Sequence, residues 1–113
     1  MEKSPLAALA EEQLDRARTS SNGRSATTVY GGSGRSLRQT LIALAGGRSL
    51  DEHDSPGEAT VHVLRGRVRL RSGATEIEGT TGDLLVVPDA RHSLHADEDS
   101  AVLLTVVAAA ADR

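Results

Sequence analysis

An all-β barrel or sandwich preceded by one short helix is the fold class this sequence predicts, and three observations carry it. From Ser25 onward the 113-residue chain breaks into short aliphatic runs separated by glycine turns, the pattern of a sandwich or barrel. Its apolar residues are almost all Ala, Val, Leu and Ile, with Tyr30 the single aromatic. A core must therefore be built from aliphatic side chains, whose β-branched members suit strands. Ahead of this region Leu6, Leu9, Ala10, Leu14 and Ala17 recur at helical spacing, one apolar stripe of an amphipathic helix.

Taken in order, Ser4-Pro5 reads as an N-cap followed by proline at the first helical position. The helix should end near Arg18, before the breaker cluster Thr19-Ser20-Ser21-Asn22-Gly23. A helix this short is marginal alone, so it should dock on the barrel or on a second copy. Strands are expected over residues 27–30, 37–45, 60–64, 67–71, 75–78, 84–87, 92–96 and 102–107, with Gly66 in a tight turn or bend. The chain thus divides into a helix and linker over 1–24, a β-barrel domain over 25–108 and a flexible tail over 109–113.

Composition excludes several functions. Without cysteine there is no disulfide, thiolate nucleophile or cysteine metal site. Net charge is −3 with mixed signs, which leaves no basic footprint for nucleic acid, and the missing aromatics remove base stacking. No apolar run is long enough to span a membrane, and acidic residues follow the N-terminal Ala/Leu stretch, unlike a secretory signal. The expectation is a soluble, cytoplasmic protein. Arg65, Arg67, Arg69 and Arg71 fall at period two, which reads as one solvated strand face or a partner contact.

The glycines at Gly32 and Gly34 lack the following Lys-Ser/Thr and helix of a phosphate loop. No serine occupies a Gly-x-Ser-x-Gly elbow. The informative segments lie further on. One runs His53-Asp54-Ser55-Pro56-Gly57-Glu58-Ala59, then Val61-His62-Val63-Leu64-Arg65-Gly66; the other is Gly82-Asp83-Leu84-Leu85-Val86-Val87-Pro88-Asp89-Ala90-Arg91-His92. Gly47 followed after five intervening residues by His53, Gly66 closing the segment, and Gly82 followed by Pro88 and His92 resemble the two motifs of the cupin superfamily. The resemblance covers roughly residues 37–107. It implies a cupin-type jelly-roll β-barrel carrying the short N-terminal helix, and homodimers that pair through strand edges, with the helix and residues 25–44 as the packing region.

In metal-binding cupins three imidazoles and a carboxylate surround one divalent ion, with Zn, Ni, Mn or Fe suited to such donors. This chain departs at two positions: Ser55 stands where the second histidine would lie, and Ala59 where the carboxylate would, with Glu58 one residue out of register. A one-residue shift sends a side chain to the opposite face. A bulge at Pro56-Gly57 would turn Glu58, Thr60 and His62 inward and give a site of His53, His62 and His92; without it only His53 and His92 remain. A divalent metal and a metal-free pocket are both open at this point.

Two functions follow. The first is a small-molecule binding module whose pocket holds His53 and His92, with Gln39 and His62 as further polar groups. The second is a metal-dependent enzyme, dioxygenase- or isomerase-like, with His53, His92 and either His62 or Glu58 as ligands and Arg91 at the mouth for an anionic substrate. A purely structural or protein-interaction role is a third. His95 and Tyr30 read as surface and packing residues.

Overall fold

The computed structural model describes residues 1–55 and 57–108. Pro56 and the tail expected over 109–113 lie outside the described residues. Helix α1 (Leu6–Thr19) precedes nine strands: β1 (Arg24–Tyr30), β2 (Leu37–Leu44), β3 (Ser49–His53), β4 (Gly57–Arg65), β5 (Arg67–Ser72), β6 (Thr75–Thr80), β7 (Leu84–Val86), β8 (His92–Ala96) and β9 (Ser100–Ala108). They form two antiparallel sheets, one ordered β1-β2-β9-β4-β7 and the other β3-β8-β5-β6. No helix among the described residues is long and apolar enough to cross a membrane.

Alternation sorts the side chains. Ala59, Val61 and Val63 of β4, Val68 and Leu70 of β5, Leu94 and Ala96 of β8 and Val102 of β9 fill the space between the sheets. Residues two apart share a face of a strand, so this set fixes which side of each strand is interior. A second core lies behind the five-stranded sheet. There Ala10, Leu14 and Ala17 of α1 pack on Leu41 and Ala43 of β2 and Ala101 and Leu103 of β9. The helix therefore docks on its own barrel. Its buried Gln13 is satisfied by the Ser25 hydroxyl of β1.

Three local expectations are corrected. The helix begins at Leu6 with Pro5 at the cap position, and no side chain caps it, so Ser4 does not play that part. Ser49–His53 forms a strand that the sequence did not announce, because Leu50 is its sole apolar residue. Arg65 does not share a face with Arg67, Arg69 and Arg71. Gly66, at φ 100°, carries the chain from one sheet to the other, so Arg65 pairs with Glu11 of the helix. The other three lie across the outer face of the four-stranded sheet, where they meet Glu76, Glu78 and Asp97. That face is a mixed-charge ladder, worth little per pair in solvent.

Candidate functional site

β3 and β8 pair so that His53 stands opposite His92, after an irregularity in register that follows Leu50. The two rings meet edge to face, with centroids 4.4 Å apart and planes at 64°. Their burial differs: His92 is buried, 5% exposed, whereas His53 sits exposed at the rim.

Each ring is oriented in the same way. His53 Nδ1 lies 2.9 Å from the carbonyl of Asp51, and His92 Nδ1 lies 2.9 Å from that of Ala90. A carbonyl can only accept, so each Nδ1 carries the proton and the neutral ring keeps its lone pair on Nε2. Backbone hydrogen bonds of this kind fix tautomer and orientation in ligating histidines. Because any residue supplies such a carbonyl, the sequence carries no signal for it.

The other expected site residues are placed elsewhere. His62 pairs with Leu103 and Leu84, and Glu58 with Val107, all on the outer side of the five-stranded sheet. Ala59, Val61 and Val63 take the inner side of β4. The inward turn of Glu58 and His62 is thus overturned: β4 keeps regular alternation from Glu58 to Val63, and the side chains of its even-numbered residues point away from the interior. Gln39 is corrected likewise. It shares the outer phase of β2 with Leu41 and Ala43, and its amide donates to Thr105 Oγ1 at 3.2 Å. Arg91 is not free for an anion either, since it donates to Glu52 at 3.2 Å and to Asp54 at 3.3 Å.

The inner donor set can now be weighed against a resident metal. Ser55 spends its hydroxyl on the turn, donating to the Gly57 carbonyl at 2.9 Å and receiving the Gly57 N–H at 3.4 Å. Ala59 is buried where a carboxylate would be needed. Among the described residues no group of three or more His, Asp or Glu side chains is arranged to hold an ion. Catalytic zinc sites ordinarily take three protein ligands, so two imidazoles do not fit a metal held by this chain alone.

Three other features lie on these sheets. A groove of about 400 Å³ opens between β4 and β7 at the same end, lined by Gly57, Glu58, Ala59, Val86, Val87 and Asp89. On the outer face of the four-stranded sheet, His95 Nδ1 takes the Ser49 hydroxyl at 2.6 Å and Nε2 lies 3.7 Å from Asp97. His95 is therefore a half-buried surface residue, as its spacing indicated. Tyr30 is partly exposed at the end of β1, beneath the guanidinium of Arg35 at 5.3 Å.

Comparison with known proteins agrees with this architecture. No curated protein sequence matches the chain. Among solved structures, a conserved protein of unknown function from Streptococcus pyogenes is 26% identical, with a TM-score of 0.70 over 80% of this chain and 78% of the other. A cupin superfamily protein from Desulfitobacterium hafniense is 19% identical, with a TM-score of 0.77 over 96% of this chain and 92% of the other. The salicylate 1,2-dioxygenase of Pseudoaminobacter salicylatoxidans, solved with gentisate, is 16% identical and has a TM-score of 0.74 over 88% of this chain and 32% of its own. The family described as cupin domain matches residues 40–108. With that match over more than half its length, and a jelly roll of two facing sheets beneath it, the chain belongs to the cupin domain family.

Proposed function

We propose that this protein is a small-molecule binding module whose ligand is held at the barrel mouth by Nε2 of His53 and Nε2 of His92. The observation that carries this reading is the shared orientation of the two rings, each pinned through Nδ1 to a carbonyl two residues earlier. Two pre-set acceptors above an aliphatic interior match the common form of a ligand site, an apolar cavity with a few placed polar groups. Each hydrogen bond to the ligand contributes about 1 kcal/mol. Any divalent ion here would need most of its coordination from the ligand or water.

The test uses untagged protein purified without chelator, beside a His53→Ala, His92→Ala double variant. Long-range imidazole NMR should show Nε2 unprotonated in the neutral rings of the parent. Native mass spectrometry should show small molecules retained by the parent and lost from the variant, with the metal content of both far below one ion per chain. Near-stoichiometric metal that disappears in the double variant would overturn the binding-module reading in favour of a metalloenzyme.

A further inference from the structure

The burial of β1 is inverted relative to the rest of the barrel. Its outer-phase residues Ser25, Thr27 and Val29 are half covered, on the side where α1 docks, while Arg24, Ala26 and Thr28 are exposed on the side facing the interior. The cause is the unequal width of the sheets. β1 is the outer edge of the five-stranded sheet, whereas the four-stranded sheet ends at the five-residue strand β3. β1 and part of β2 overhang, and the space beneath is a groove of about 340 Å³ lined by Asn22, Arg24, Ala26, Thr40, Ile42 and Leu50. Neither His53 nor His92 lines this groove.

Charge is distributed unevenly around this groove. The arginines of the helix, of β4 and β5, and of the β7–β8 loop all meet carboxylates. Among the described residues Arg24, Arg35, Arg38 and Arg48 meet none within ion-pair distance. All four lie on or against the β1–β2 hairpin. Arg48 lies across Gly23, where an added Cβ would come within 2.5 Å of its Cγ, so its stem is held next to Asn22 and Arg24. The groove floor is aliphatic: Ile42 and Leu50 border the interior core.

We infer that this overhang is a second binding site, for an aliphatic anion such as a medium-chain carboxylate. Its head would meet Arg24, whose guanidinium forms charge-assisted, bidentate contacts with carboxylates. Its chain would lie on Ala26, Ile42 and Leu50 and remove their apolar surface from water. The volume is at the low end for ligand sites, which favours a short chain over a large ring system.

Octanoate is the probe, titrated into full-length protein and followed by backbone NMR and calorimetry. Saturable binding in the millimolar range or tighter is expected, with shifts at Ala26, Thr40, Ile42 and Leu50. Arg24→Gln, which keeps a polar stem, should weaken binding at least about tenfold, and octyltrimethylammonium should not bind. The His53→Ala, His92→Ala variant should bind octanoate as the parent does, which separates this site from the barrel mouth. Shifts centred on His92, equal affinity for Arg24→Gln, or no saturation would each overturn the inference. So would a dimer, seen by small-angle scattering at the titration concentration, that seats a second copy under β1.

Discussion

Gly66 and Ser100 meet where the chain passes from one sheet to the other: the Ser100 hydroxyl accepts the N–H of Arg67 at 3.0 Å and donates to the Glu98 carbonyl at 2.7 Å. A Cβ on Gly66 would lie 2.5 Å from the Asp99 carbonyl oxygen and closer still to the Ser100 hydroxyl. Gly66→Ala should therefore destabilise the fold by about 3 kcal/mol or more, combining a left-handed backbone with a clash against backbone. Gly73→Ala, at φ 59° with nothing within 4 Å, should cost only about 1 kcal/mol. Urea unfolding of the two variants checks the difference.

The phase of β4 predicts which substitutions touch the barrel mouth. His62→Ala, Glu58→Ala and Gln39→Ala remove side chains on the outer face and should change ligand retention by less than about twofold, whereas His92→Ala should reduce it about fivefold. Native mass spectrometry of the four variants checks this. A strong loss in His62→Ala would place that ring inside after all.

The same phase predicts a gain of function. Ser55→His with Ala59→Glu completes an inner set of three imidazoles and a carboxylate, and the double variant should retain about one Zn or Ni per chain. Without metal it should be less stable than the parent by about 1–3 kcal/mol, since a carboxyl group is buried unpaired. Ser55→His with Thr60→Glu, whose carboxylate faces out, lacks the fourth ligand and should hold the ion at least about tenfold more weakly. Elemental analysis and melting temperature with and without added ion decide between the two outcomes.

Acid should weaken the fold through Asp99. Its carboxylate is held below the ordinary range first by the hydrogen bond from Arg18, then by the N–H of Gly46, tying α1 to the β2–β3 turn at 2.8 Å on each oxygen. A depressed folded-state value means the contribution is complete above the unfolded value, about 4. It is lost as pH falls through the folded value. Asp99→Asn should therefore be less stable than the parent at pH 7 and converge with it as pH falls below the unfolded value of about 4. Urea midpoints across that range provide the measurement. Asp97, lowered by Arg69, should add to the acid sensitivity left in the variant.

Much of this architecture was legible in the sequence, because glycines at turns and period-two alternation are local signals. Gly66, Gly82 and Pro88 mark the turns of the barrel, and Val61 and Val63 set the inner phase of β4. The misreadings have physical causes. β2 is covered by the barrel on one side and by α1 on the other, so Leu41-Ile42-Ala43-Leu44 is apolar without interruption and carries no phase from which to orient Gln39. Arg65 looked continuous with Arg67 because a crossing between sheets leaves only one glycine as its trace. The overhang under β1 depends on how many strands each sheet has, a property of the whole chain.

The sheet order also has a consequence in time. β9 lies between β2 and β4 and joins two ribbons that are otherwise separate, and α1 rests partly on its Ala101 and Leu103. On the ribosome, α1 emerges before β9 and must wait for it. Until residues 100–108 emerge, the apolar stripe of α1 and the facing edges of β2 and β4 stay open to other nascent chains. The hazard in making this protein is concentrated in the interval before β9 is released.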